Sequence, residues 1–383
     1  MEALKAHEAW RGKIEVAARA TVTTMEEMAV AYTPGVAEPC KAIAEQPDAA
    51  YRYTRKWNTV AVVSDGTAVL GLGDIGPLAG LPVMEGKALL FKAFAGVDAF
   101  PIMLDTKDVD EIVRTVRLIA PGFGGINLED ISAPRCFEVE RRLQAEVDIP
   151  VFHDDQHGTA VVVAAALTNA LALTGRQPGD VRAVVNGIGA AGVACAEMLL
   201  EMGVADIVMV NRSGIVCDAP GEAQRSLIAR TNPRKVAGSL SQALEGADFF
   251  LGVSGPNLVT ADMVRSMGPD AIVFALANPV PEILPAEALA GGARVVGTGR
   301  SDFPNQINNV LAFPGIFRGA LDCRARRISR GMKLAAARAL ASLVPKEQLS
   351  ETNLLPTALD EGVAMAVAQA VMGAARHEGL ARA

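Results

Sequence analysis

The sequence predicts an α/β protein of two domains, on three observations. Residues 181–185 form an apolar run that meets Gly187-Ile188-Gly189-Ala190-Ala191-Gly192, continues as an apolar helical pattern to Gly203, and is followed by a second apolar run at 206–210. About half of the chain precedes that glycine turn, so the turn does not stand alone. With 383 residues, half of them hydrophobic, the chain can bury a core larger than one domain needs. A strand, a G-x-G-x-x-G turn, a helix and a second strand bring a pyrophosphate against a helix N-terminus, and this flanking order is far more specific than the glycines alone. The predicted fold class is α/β: an N-terminal α/β substrate domain, residues 1–152, then a Rossmann-type NAD(P)-binding domain with C-terminal helices, residues 153–383.

The elements follow in order. Residues 1–30 read as helical, and Pro34-Gly35 breaks that pattern beside Tyr32. A tyrosine at a loop edge is either an amphipathic surface packer or an acid. Residues 58–64 read as a strand, Asp65-Gly66-Thr67 as a hairpin turn, and 68–73 as a glycine-broken return strand. Lys87 is expected on the first turn of an apolar helix, where the helix dipole and desolvation lower a lysine pKa. It then serves as a base, or else as an ordinary solvated lysine. Residues 99–104 form a strand and 108–119 an amphipathic helix.

Two further strands end in acids. Residues 125–128 run into Glu129-Asp130, and 149–152 into His153-Asp154-Asp155-Gln156-His157, before Gly158-Thr159 opens a long apolar helix. Ligands bind at the C-terminal strand edge of open α/β sheets. Carboxylates converging there repel one another unless a cation intervenes, and an all-oxygen set suits Mg²⁺ or Mn²⁺ better than zinc. The alternative is a pair of helix-start acids stabilised by the dipole. The strand at 206–210 ends in Asn211-Arg212, without the acid that binds a ribose 2′-hydroxyl; Arg212 meets a 2′-phosphate, favouring NADP over NAD, or is merely exposed. Later strands at 248–253, 271–275 and 295–297 lead into small polar loops, and 324–343 and 358–375 are alanine-rich helices.

Composition excludes several classes. The net charge of −7 gives no basic footprint for nucleic acid. Five scattered cysteines without C-x-x-C spacing suit a reducing, cytoplasmic setting and no zinc site. The N-terminus carries Glu2, Glu8 and Glu15 among its basic residues and lacks an apolar core of the signal-peptide kind, and the run at 160–166 reads as a buried helix rather than a membrane span.

Seven segments, in order, resemble the malic enzyme family, in its short bacterial form: 31–37, Leu70-Gly71-Leu72-Gly73-Asp74, Gly86-Lys87, Asn127-Leu128-Glu129-Asp130, 152–160, Ala277-Asn278-Pro279, and Asn308-Asn309 with Phe313-Pro314-Gly315. The resemblance implies oxidative decarboxylation of L-malate to pyruvate with NADP or NAD. It implies Mg²⁺ or Mn²⁺ held by Glu129, Asp130 and Asp155. Lys87 falls on the family's general base, Tyr32 on its general acid, Asp154 on a carboxylate near the lysine, and Asn278 and Asn309 on positions at the substrate and nicotinamide. Thr67-Ala68-Val69 stands where larger members carry an arginine for a substrate carboxylate. Other readings of the same cofactor half are an amino-acid or methylenetetrahydrofolate-type dehydrogenase, or a nucleotide-sensing regulator. A homodimer in which Tyr32 enters the partner's site completes the expectations.

Overall fold

The computed structural model describes residues 2–219 and 221–383. Its architecture is two parallel sheets separated by one buried helix. The first sheet contains β1 (Thr59–Ser64), β2 (Asp98–Met103), β3 (Gly125–Leu128) and β4 (Val151–His153), in the order β2-β1-β3-β4. The second contains β5 (Arg182–Asn186), β6 (Asp206–Asn211), β7 (Gly214–Ile215), β8 (Phe249–Gly252), β9 (Ile272–Ala275) and β10 (Val295–Thr298), in the order β10-β9-β8-β5-β6-β7. All neighbours are parallel except β6 and β7. β1, β3, β8 and β9 are buried on both faces, and their residues are largely apolar rather than alternating.

In each sheet the strand order reverses direction once, between β1 and β3 and between β5 and β8. A crevice opens at such a point, at the C-terminal strand ends. The helix Asp154–Thr174 lies between the sheets. It is long and apolar enough to cross a membrane, yet most of its side chains are buried in the fold, which explains its apolar character without a bilayer. One continuous apolar core runs from Val60, Val62 and Phe91 through this helix to Ala183 and Val185. The C-terminal helices join the same core: Phe313 and Phe317 meet Phe91 with ring centroids 4.7 and 5.2 Å apart, so the chain's end packs back on its first sheet.

Several local expectations are corrected. Residues 1–30 are two helices, Glu2–Trp10 and Met25–Ala31, parted at Gly12 with φ of +113°. Residues 68–73 form no strand: Gly71 and Gly73 adopt φ of +76° and +75°, and only an isolated bridge joins Val69 to Gly73. Lys87 is not at a helix start, because its helix spans Gly76–Ala95 and carries Pro82 inside it. That proline deprives the Leu78 carbonyl of its helical partner, and Leu78 sits at an exposed position. The last two helices are Arg330–Ser342 and Val363–His377, preceded by a buried helix, Phe313–Asp322, that sequence patterning did not separate.

Candidate active site

The first crevice assembles its acids from neighbouring strand ends. Leu128 of β3 pairs with His153 of β4, so Glu129-Asp130 and Asp154-Asp155 leave the sheet side by side. Asp130 adopts φ of +53°, a conformation that short polar side chains tolerate better than others. Its amide donates to Asp155 Oδ2 over 2.8 Å, and its carbonyl accepts from the amides of Thr67 and Ala68. Carboxylate oxygens of Glu129, Asp130 and Asp155 all lie within 4.8 Å of one another. Asn127 Nδ2 donates to Glu129 Oε2 over 2.8 Å and fixes that carboxyl.

Lys87 enters from the helix Gly76–Ala95. Its ammonium lies 2.8 Å from Glu129 Oε1, donates a short hydrogen bond to Asp154, and sits 4.0 Å from the centre of the Phe313 ring. Burial lowers the pKa of Lys87, but Asp154, Glu129 and Asp155 outweigh burial and hold the ammonium above the ordinary lysine range. The expected depression by a helix dipole does not occur, since the residue lies in mid-helix. Burial raises the carboxyl pKa of Glu129, Asp154 and Asp155. Burial, together with Asp155 and Glu129, pushes Asp130 up to about 9.

Four carboxyls and one lysine thus share a buried space, and Asp130 Oδ2 has no hydrogen-bond partner there. An orphaned buried oxygen beside two further carboxylates fits a hard divalent cation, with Glu129, Asp130 and Asp155 able to hold it. Asp154 is engaged with Lys87 instead. Both readings of the helix-start acids therefore have a place: Asp154 and Asp155 occupy the first turn of Asp154–Thr174 and also join the cluster. Asn309 is adjacent: a Cβ placed on Gly158 would meet both Asp154 Oδ1 and Asn309 Cβ.

The second crevice is built on the glycine turn. Gly187 adopts φ of +137° and passes close to Val253, while Gly192 packs directly on the Gly187 carbonyl, so a side chain at either position has no room. Gly189 caps the helix Ala190–Glu201, whose first turn includes Ala191. Gln224 Nε2 donates to the Ile188 carbonyl over 2.6 Å and steadies the turn. Asn186 at the end of β5 donates to Ser254 beyond β8, across the point where strand order reverses. Arg212 lines a pocket of about 450 Å³ with Asn211, Ser213, Ser239 and Ser254. Asn278 follows β9, in van der Waals reach of Gly71 and Gly299, so the loop carrying it borders the glycine-rich loop after β1.

Two family models match in succession, the malic enzyme N-terminal domain over residues 11–144 and the malic enzyme NAD-binding domain over 156–376. The chain belongs to the malic enzyme family. It is 58% identical to the NAD-dependent malic enzyme of Geobacillus stearothermophilus over 97% of this chain and 78% of that one. Against the bifunctional malic/malolactic enzyme of Bacillus subtilis (strain 168) identity is 54%, covering 100% and 94%. The crystal structure of NAD-dependent malic enzyme from Thermotoga maritima superposes with a TM-score of 0.94 at 49% identity, covering 97% of this chain and 99% of that one. Other relatives bear the name NADP-dependent malic enzyme.

Tyr32 stands apart from the acids. It caps the helix Met25–Ala31, is 71% exposed, and among the described residues no hydrogen bond joins it to Lys87 or the carboxylates. The stretch lacking the family arginine is occupied structurally: Thr67 Oγ1 accepts from Arg135 Nη2 and from the Ser132 amide and donates to Asp65, bracing the Asp130 loop. Two site residues, Asn127 and Phe313, lie in segments that carry the resemblance but were given no role in the sequence reading, and a third, Glu282, lies outside every such segment. Phe313 comes from a distant helix, Asn127 hides inside an apolar strand, and Glu282 accepts from the Ser254 and Ala277 amides, tying the loops after β8 and β9. Only Asn127 carried a signal, as the one polar residue in 125–128.

Proposed function

We propose that the chain oxidises L-malate and decarboxylates the product to pyruvate and CO₂, with a nicotinamide dinucleotide and a divalent cation bound. The observation that carries this reading is the Lys87 ammonium seated between Glu129 and Asp154 at the edge of the three-carboxylate cluster. For Lys87 to act as base it must first give a proton to Asp154, whose carboxyl pKa burial raises, a transfer that a cation bound nearby would favour; the neutral amine then takes the proton of the malate C2 hydroxyl as hydride leaves C2. Glu129, Asp130 and Asp155 would hold Mg²⁺ or Mn²⁺, which would supply Lewis acidity for the decarboxylation. Asn309 beside Asp154 and Asn278 after β9 orient the substrate between the acids and the nicotinamide. The turn Gly187–Gly192, with Ile188, Gly189, Ala190 and Ala191, binds the pyrophosphate at a helix N-terminus.

Tyr32 is the acid that protonates C3 of the enol, delivered from a second copy of the chain. Supporting this, Tyr32 lies on an arm whose Trp10, Val16, Met25 and Val30 are exposed apolar side chains, a surface suited to cover by another protomer. Arg212 and the surrounding serines suit a 2′-phosphate, and we assign NADP preference on that basis. Five unpaired cysteines suit a cytoplasmic location.

Absorbance at 340 nm with L-malate and Mn²⁺, run with NADP and with NAD and repeated with EDTA, tests the reading. Reduction that needs the metal and yields pyruvate is expected. Reduction insensitive to EDTA would overturn the metal assignment, and cofactor binding without turnover would overturn the enzymatic one.

A further inference from the structure

Behind the acid cluster lies a buried polar chain that none of the steps above uses. Glu140, on the helix Arg135–Glu146, is 6% exposed and carries two hydrogen bonds. Its Oε1 accepts from the His153 amide over 3.0 Å, and its Oε2 lies 2.9 Å from His157 Nε2. The other ring nitrogen of His157, Nδ1, lies 3.1 Å from Lys333 Nζ on the helix Arg330–Ser342. The chemistry of the partners fixes the direction. An ionised carboxylate only accepts, so Nε2 bears the ring proton; Nδ1 then offers its lone pair and accepts from Lys333. A neutral imidazole therefore links a buried anion to a buried cation on another helix.

Glu140 is the ionised end. Burial raises its carboxyl, but His157 and Lys333 outweigh burial and hold it down to about 2. Such buried networks add little to stability compared with apolar packing of equal volume, whereas a fully connected one fixes geometry. The geometry fixed here is specific. His153 ends β4, and His157 lies one helical turn further on the same face. One carboxylate grips both ends of the five-residue segment that contains Asp154 and Asp155.

We infer that Glu140, His157 and Lys333 are positioning residues that hold the first turn of Asp154–Thr174 in register with β3, and thereby set the affinity of Glu129, Asp130 and Asp155 for a divalent cation. The inference rests on the metal reading proposed above. It also gives the C-terminal helix Arg330–Ser342 a part in the site, through Lys333, without contact to substrate.

The test is Mn²⁺ binding to the full chain, followed by electron paramagnetic resonance without substrate or cofactor, alongside melting temperature. Glu140→Gln keeps every heavy-atom position and removes the charge; Lys333→Met keeps the stem and removes the donor. Each should weaken Mn²⁺ binding about tenfold or more, as loss of an outer partner of metal ligands does, measured below the melting temperature, which each single variant lowers because the remaining charge is left buried without its partner. The double variant should lose about as much as one single variant, because both cut one chain. Wild-type Mn²⁺ affinity in the folded variants would overturn the inference, as would losses that multiply in the double variant. If Lys333→Met does not fold, Glu140→Gln decides alone. A wild-type chain that binds no Mn²⁺ would overturn the metal reading and this inference with it.

Discussion

Asp130→Asn separates the cost of the acid cluster from its use. Asparagine is tolerated at φ of +53° as readily as aspartate, and the three backbone hydrogen bonds of residue 130 survive the change. What is lost is one carboxyl whose proton is held up to about 9 by burial, Asp155 and Glu129, against 3.8 in the unfolded chain. The sign follows from linkage: a raised carboxyl pKa destabilises the fold above the unfolded value, and increasingly so as pH rises toward the folded one. At pH 7 the full gap amounts to about 4 kcal/mol. At pH 7 residue 130 therefore already carries its proton in the fold, and Asn reproduces that neutral state without the cost of proton uptake; halving the gap for the coupling among the four carboxyls gives an expected gain of about 2 kcal/mol in the metal-free variant. Thermal melts in EDTA read this as a rise of about 2–3 °C for a chain of 383 residues. The difference should shrink as pH is lowered toward 4, where both chains are neutral at this position. Added Mn²⁺ should stabilise the wild type, by about 2.7 kcal/mol at a hundredfold excess over Kd, and the variant far less. A metal-free Asp130→Asn protein that melts at or below the wild-type temperature would refute the argument that these carboxylates repel one another in the fold.

Other perturbations address single roles. Lys87→Met should lower kcat about 10² to 10⁴-fold while Mn²⁺ binding persists, since the variant removes a competing cation; loss of Mn²⁺ binding would show the lysine to be a scaffold instead. Arg212→Ala should cut kcat/KM for NADP about tenfold or more, the scale of one lost charged hydrogen bond, and leave NAD unchanged; equal losses with both would end the 2′-phosphate assignment. Glu282→Gln should raise KM for either cofactor and cost about 1–3 kcal/mol, because the loops after β8 and β9 share that carboxylate; an unchanged KM in steady-state kinetics counts against it. Mixing Tyr32→Phe with Lys87→Met subunits should restore part of the activity, and no recovery in verified mixed dimers would place Tyr32 in its own protomer's site.

The sequence made the strand ends legible because each buried parallel strand is a short apolar run with a polar residue where it leaves the sheet. Glu129-Asp130 and Asp154-Asp155 could be placed on strand edges this way, and β3 and β4 prove to be neighbours. The glycine turn was legible for a similar local reason, since Gly187 and Gly192 each occupy a position with no room for a side chain. Local signals misled where a glycine or proline had two possible readings. Pro82 and Gly86 suggested a loop before Lys87, but the helix absorbs both, and with that the dipole argument for a depressed lysine fell. Gly71 and Gly73 suggested a broken strand, whereas left-handed turns form instead.

What no local pattern carries is the surroundings of Lys87. Its charge is set by Glu129 and Asp154, 42 and 67 residues downstream, and one face of its ammonium rests on Phe313, 226 residues away. Phe313 is held there by Phe91 of the lysine's own helix, and Phe317, a turn further, packs on both Phe91 and Phe152 beside the acids. Arg318 of the same helix donates to Asn58 at the foot of β1. One wall of the crevice around Lys87 is therefore supplied by a helix from the C-terminal third of the chain. It follows that the acids and the lysine acquire their buried, mutually dependent charges only when the helix Phe313–Asp322 docks. A fragment ending before Phe313 would retain the sequence motifs while leaving Lys87 open to water and its pKa near that of an ordinary lysine.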